Sequence, residues 1–377
     1  MTDTRARLLS SIFAVLGVSA AACGKTTVVA PDKPSDDASA CPQEKGHYGV
    51  WPDGKQPDMM SGINDVCLPK PASGDCASYP NKCVLSRYRC GVAQGGEQVL
   101  DKLPTKEPDT CCWKVKGGCA VGRPFVVAGE VRLAPLGLGE GWCGGGDLAA
   151  AAIDDATRAA LADVWARDGL TEHASVASFA QLVLELLALG APADLVRGAQ
   201  EAMADEIRHA ERAFALASRY AGHPVAPGPL DTRGAGGVPA LADFAARAAS
   251  EGCIAETIAS LQLHAAADAA SDAALAAELR LTADEEAVHA ILAYRIVTWA
   301  IAKGGEPVRV AVASVFEAAA DHVGFGPCPD DAIDLHTHGV LSRRARHDLA
   351  VLALHEVIAP AGRALVGGGG PRPPLCA

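Results

Sequence analysis

The sequence contains no CxxC pair, no CxxCH and no HExxH. The first absence argues against a rubredoxin-type iron site and against the common zinc frameworks. The second excludes a c-type haem, and the third a zincin-type protease, since "HEVIA" from His355 lacks the second histidine. Lysine is scarce over most of the chain. Ten of the eleven lysines lie before residue 117, and Lys303 is the exception. The net charge is −12 and no basic patch is present, so nucleic acid is excluded as an expected partner. The lysine break divides the 377 residues into two modules of different composition.

What is present begins with a leader. Arg5 and Arg7 precede an apolar run from Leu8 to Ala22 that is too short to span a bilayer as a helix. It ends in small residues, "SAAACGK", and reads as a secretory signal outside the fold. The stretch resembles a bacterial lipoprotein signal over residues 1–22, which implies lipidation at Cys23; ordinary signal-peptidase cleavage near Ala22 is the alternative. The resemblance implies a cell-envelope lipoprotein, held at the outer membrane through its lipid. Residues 23–40 have the Pro, Asp and Ser content of a disordered tether.

Residues 41–148 form a Cys-rich module. It holds Cys41, Cys67, Cys76, Cys83, Cys90, Cys111, Cys112, Cys119 and Cys143. Few apolar runs and much Pro, Gly and Asp, in an exported chain, indicate a small domain stapled by disulfides. Zinc is the alternative, but His47 is the module's single histidine. "CCWKVKGGCAVGRPFVVAGEVRLA" alternates enough for short strands. Cys328 and Cys376 flank the last helix and are expected to pair. Excluding Cys23, twelve cysteines remain, which permits six bridges.

From Asp154 the apolar period becomes 3.6, so residues 149–377 read as a mainly α domain. Helices are predicted over 155–189, 193–221, 240–269 and 272–303, with C-terminal helices over 307–323 and 341–365. Gly190 and Pro192 punctuate the first turn, and "GHPVAPGPLDTRGAGGVP" forms the long second connection. Short, long, short connections describe two hairpins joined by a crossover.

Carboxylates and imidazoles interrupt the apolar stripes of these helices. Glu172 lies on the first, Glu206 and His209 on the second, Glu256 on the third, Glu286 and His289 on the fourth. Glu-x-x-His puts both groups of a pair on one helical face. Counted from their turns at ~1.5 Å per residue, the groups of each hairpin match in height to within ~3–6 Å. Burying four carboxylates without partners costs several kcal/mol each, and lysine is nearly absent from this half. Two divalent cations would neutralise them, and oxygen with imidazole donors suits iron or manganese.

Residues 154–303 resemble the ferritin-like di-iron carboxylate superfamily, on the order Glu, Glu-x-x-His, Glu, Glu-x-x-His. "DEIRH" is similar to the Asp-Glu-x-Arg-His motif of bacterial multicomponent monooxygenases, although Val288 replaces the arginine in the second motif. The resemblance implies a ferritin-like four-helix bundle and two iron ions, or manganese, on Glu172, Glu206, His209, Glu256, Glu286 and His289. It implies supporting roles for Asp205, Arg208 and Asp284 around the ligands. "EHASVASFA" and "EGCIAET" look most like uncharacterised bacterial ferritin-like proteins, for which the family supplies a fold and no reaction.

Other polar residues read as structural. His173 is rotated ~100° from Glu172 and is not expected as a ligand. Cys253 reads as a small core residue, and Asp334, His336 and His338 as a solvated turn. Two function classes follow. One is an oxidoreductase that uses O₂ or peroxide to oxidise Fe(II) or a substrate, with a redox partner. The other is a non-catalytic metal-binding or scaffold lipoprotein. A tether and a bulky module disfavour a closed storage cage.

Overall fold

The computed structural model describes residues 2–17, 63–70, 75–76, 98–103, 110–116, 123–128, 130–143, 153–322 and 333–367. It is mainly helical and divides into two compact units: Ser19–Cys119, and Met1–Val18 with Ala120–Ala377. Cys23, the 23–40 tether, Cys41, Cys83, Cys90, Cys119, Cys328 and Cys376 lie outside the described residues.

In the smaller unit, strands β1 (Ile63–Pro69), β2 (Gln98–Leu103) and β3 (Thr110–Lys116) form an antiparallel sheet in the order β1-β3-β2. Cys67 lies opposite Cys112, and the β2 register shifts between Val99 and Asp101. Cys111, Cys112 and Trp113 are buried. Cys76 is bridged to Cys111 across a sequence separation of 35. A loop of that length removes about 3–4 kcal/mol of freedom from the unfolded chain. That staple suits a unit with few residues available for a core.

The larger unit begins at the lysine break, at Ala120, and not after residue 148. The reason is pairing and packing. Strand β4 (Val126–Val127) pairs with β5 (Glu130–Val131), and β6 (Leu136–Leu138) pairs with β7 (Val225–Pro227), which lies beyond two helices of the domain. Phe125 and Val127 pack on Ala174, and Ala134 enters the main helical core. Cys143 therefore belongs to this unit. It is buried and unbridged, its Sγ 3.4 Å from the carbonyl of Glu140. Cys253 is also free and buried, so the described cysteines do not all pair.

The leader forms α1 (Thr2–Val15). It was expected outside the fold, yet it packs on helices α6 and α9 described below, with Leu8, Ile12 and Phe13 buried and Arg5 3.1 Å from Glu356. An apolar helix in water lowers its free energy on any apolar face it can reach.

The main helices are α2 (Asp155–Ala188), α3 (Ala193–Ala221), α4 (Leu241–Ala248), α5 (Thr257–Ala269), α6 (Ala273–Gly304), α7 (Glu306–His322), α8 (Arg343–Ala353) and α9 (Ala359–Gly367). Their ends have local causes. Asp154 accepts from the Thr157 backbone N–H at 2.9 Å, and Asp272 accepts from Ala274 at 2.8 Å. Gly190, at φ +68°, takes the left-handed turn after α2 that a Cβ would disfavour. The expected third and sixth helices are each interrupted. A π-helical segment, Ala249–Glu256, joins α4 to α5, and a shorter one, Leu354–Ile358, joins α8 to α9.

Helix α2 packs along α3, α5 along α6, and α3 against α6. One core cluster joins Leu161, Trp165 and Leu170 to Phe214 and Tyr220, and both to Leu275 and Leu279. Leu335 and Val340 from the C-terminal segment complete it.

Candidate metal centre

Glu172 comes from α2, Glu206 and His209 from α3, Glu256 ends the π segment, and Glu286 and His289 come from α6. All six converge. Glu172, Glu206, His209 and Glu286 offer ligand atoms within 4.8 Å of one another, and so do Glu206, Glu256, Glu286 and His289. The two groups share Glu206 and Glu286. Opposite ligands on an ion with bonds of about 2.1 Å stand about 4.2 Å apart, so each group is close to the size of one coordination sphere. Five of the six side chains are 1–3% exposed, and Glu172 is half-buried.

The two histidines are arranged alike. His209 Nδ1 lies 3.7 Å from Glu206 and 3.4 Å from Glu286. His289 Nδ1 lies 3.2 Å from Glu206 and 3.4 Å from Glu286. Their Nε2 atoms face outward: His209 to Glu285 at 2.8 Å, His289 to Asp205 at 3.1 Å. The imidazole of His209 holds the Glu285 carboxyl down at about 2, against its partial burial, with Arg208 assisting. An ionised Glu285 only accepts, so this contact requires a proton on Nε2 of His209 and leaves Nδ1 as the nitrogen aimed inward.

Several inward atoms have no hydrogen-bond partner: Nδ1 of both histidines, both oxygens of Glu256, and one oxygen each of Glu206 and Glu286. Buried polar atoms are almost always satisfied, and a cluster of orphans on converging side chains offers a donor set that a cation could fill. This buried Glu/His cluster can hold a metal ion.

Comparison with protein-family models, curated proteins and solved structures finds no match. The chemistry of the site therefore rests on its own residues.

Electrostatics follow from crowding. Burial, reinforced by Glu206 and Glu286, raises the Glu172 carboxyl well above its ordinary range; burial and Glu286 do the same to Glu256. Burial disfavours charge on His209 and His289. The carboxylates of Glu206 and Glu286, with Glu285 on one ring and Asp205 on the other, outweigh it and lift both imidazoles well above the usual range. Divalent cations would replace these protons, since both compete for the same lone pairs.

The surrounding residues differ in part from the sequence reading. Asp205 lies against a histidine of the cluster, His289 of the other motif. Arg208 bonds to Asp205 and also to Glu285 at 3.0 Å. Asp284 plays no such part. Its side chain is 72% exposed and lies 3.3 Å from His264. Glu285 does that work, with Arg212 3.2 Å away. The signal was available: Glu285 stands one residue before Glu286, as Asp205 stands one before Glu206.

Two further features were not anticipated. Arg123 is buried, 3.5 Å from Glu251, and its guanidinium lies 4.6 Å over the Phe179 ring. Phe179 in turn meets the His289 ring edge-on at 5.3 Å. The π segment also brings α6 close. A Cβ on Gly252 would lie 2.3 Å from the Ala293 Cβ, so only glycine permits this approach. Ser260 donates to the Ala283 carbonyl at 2.8 Å, fixing α5 to α6 near Glu256. His173 packs edge-on to Trp142 at 5.0 Å and is not in the cluster, as expected. Asp334 accepts from the His336 backbone N–H at 3.1 Å in an exposed turn.

Proposed function

We propose that this protein is a ferritin-like four-helix-bundle protein with a dinuclear iron or manganese centre, and that it uses O₂ or peroxide to oxidise Fe(II) or a small substrate. The observation that carries the reading is the pair of overlapping donor groups that share Glu206 and Glu286. In this assignment Glu206 and Glu286 would contribute to both donor groups. Glu172 and His209 complete one set, and Glu256 and His289 the other. Four carboxylates balance two divalent cations, and the absence of any thiolate among the donors suits iron or manganese. When bound, such a pair supplies redox equivalents and a Lewis-acid site for an oxygen species.

The chain's own residues do the rest. Asp205 and Glu285 fix the tautomer and direction of both imidazoles. Arg208 contacts both outer carboxylates and holds them in position, and Arg212 adds a second contact to Glu285. Phe179 and the alanine-rich helix faces keep bulk water from the ligands. Half-buried Glu172 is the ligand through which the centre meets its surroundings. The leader and Cys23 support the further proposal of an exported, lipid-anchored protein with a redox partner in the envelope.

Metal analysis and melting of the full chain test the reading. Two iron or manganese ions per chain are expected, with O₂ consumption after addition of Fe(II). Metal at a hundredfold excess over its dissociation constant should stabilise the fold by about 2.7 kcal/mol. The double replacement Glu206→Ala and Glu286→Ala should abolish that rise. An unchanged metal-induced shift in the double variant overturns the assignment. Two bound ions without O₂ consumption would favour the non-catalytic reading.

A further inference from the structure

Among the described residues, Arg123 is the one buried arginine or lysine, with 4% of its surface exposed. A buried cation must be compensated, and its acidic partner, Glu251, stands 3.5 Å away. An apolar side chain of similar length would fill the same place at less cost, so the ion pair alone does not account for an arginine here. A bound ligand does not account for it either. The cavity against Arg123, Ser178, Arg247 and Glu251 measures about 10 Å³, no more than one water needs.

The contacts of the guanidinium lead inward along two paths. The first runs through Phe179 of α2. The guanidinium stands 4.6 Å over that ring, and the ring meets the His289 imidazole edge-on at 5.3 Å. A cation over an aromatic face holds the ring in place, and the ring limits how far the imidazole can tilt. The second path runs through the π segment. Glu251 stands five residues before Glu256, the span of one i→i+5 hydrogen bond, so tying Glu251 fixes the turn that ends on Glu256. Both paths end in one donor group, that of Glu206, Glu256, Glu286 and His289. Glu172 and His209 complete the other group. The main chain of Arg123 is anchored separately on α2, where Ser175 donates to its carbonyl at 2.7 Å, so a change of side chain leaves that anchor in place.

We infer that Arg123 is a positioning residue for the Glu256–His289 half of the cluster alone: it steadies His289 through Phe179 and Glu256 through Glu251. The positioning rests on geometry, whereas the ion that this half would hold rests on the dinuclear reading. In consequence the two ions are not equivalent. One depends on a side chain from the segment before β4, and the other does not.

Arg123→Met in the full chain tests this, with Co(II) as the probe ion and a chelator of known affinity as competitor. The shared glutamates couple the two groups, so each ion is measured where the other's histidine is gone. In a His209→Ala chain, Arg123→Met should weaken the remaining Co(II) about tenfold, the low end of the loss seen when a partner behind a ligand is removed. In a His289→Ala chain it should change affinity by less than about twofold, as independent sites do. Should Arg123→Met leave Glu251 unpaired and the chain unfolded, Arg123→Met with Glu251→Met removes both charges and carries the same expectation. Equal losses in the two chains, or none in the His209→Ala chain, overturn the inference. NMR of the metal-free, histidine-labelled chain gives a second readout. Arg123→Met should move the ring-proton signals of His289 and leave those of His209 nearly in place; equal movement of both overturns it. A wild type that binds no Co(II) overturns the dinuclear reading by itself, and the NMR comparison then decides Arg123.

Discussion

Asp205 and Glu285 each stand one residue before a glutamate that both donor groups share, and each bonds to the histidine of the opposite motif. Removing such an outer partner frees the imidazole to rotate and to change tautomer, and typically costs 10- to 100-fold in metal affinity. Asp205→Ala and Glu285→Ala are accordingly expected to weaken metal binding by about that factor. Asp284→Ala should leave affinity within about twofold, since exposed pairs contribute little. Competition with a chelator of known affinity measures all three. Equal losses for Asp284→Ala and Glu285→Ala would contradict the arrangement. All six converging side chains were legible in the sequence, because charged groups on apolar helical stripes are costly and stand out. The outer residues were less legible. Asp284 and Glu285 are both acidic and adjacent, and only the ~100° step between them decides which one faces His209.

At the scale of elements, the helix ends were legible because their punctuation is chemical. Gly190, Pro192, Asp272 and Gly305 mark boundaries that differ by at most two residues from the expected ones. The two π segments were not legible. "ASEGCIAE" contains nothing that distinguishes i→i+5 from i→i+4 bonding, and the choice is made by packing on α6. The contact at Gly252 tests that account. Gly252→Ala adds one methyl against Ala293 where no space exists. Overpacking of this kind costs about 1–3 kcal/mol, so the melting temperature should fall by several degrees although alanine is the better helix former. A variant that melts as the wild type does would mean that the π segment yields without strain, and that Gly252 is not what permits the close approach.

For the whole molecule, composition located the domain boundary better than cysteine spacing did. The lysine break near residue 117 falls beside the division at Cys119 and Ala120, whereas Cys143 lies beyond it in the helical unit. Cysteine count alone could not separate a staple from a core residue. Burial does: it raises the Cys253 thiol far above its ordinary range, which leaves almost no reactive thiolate. In the folded full chain, Cys143 and Cys253 are therefore expected to resist an alkylating reagent and to react once the chain is unfolded without reductant. Cys76 and Cys111 should react only after reduction. Peptide mapping of the labelled sites reads this directly. Labelling of Cys253 in the native chain at its unfolded rate would refute the buried assignment.

The crossed histidine contacts bear on assembly. His209 is held by a carboxylate on α6, and His289 by one on α3. Each hairpin thus carries donors of its own but keeps the other's imidazole in line. Neither half could prepare even half a centre alone, and a chain severed in the Gly/Pro-rich stretch between α3 and α4 would regain an ordered donor set only on reassociation. The cluster would act as a coincidence detector for docking of the two hairpins, and any metal it binds would report on tertiary completeness as well as on the donors themselves.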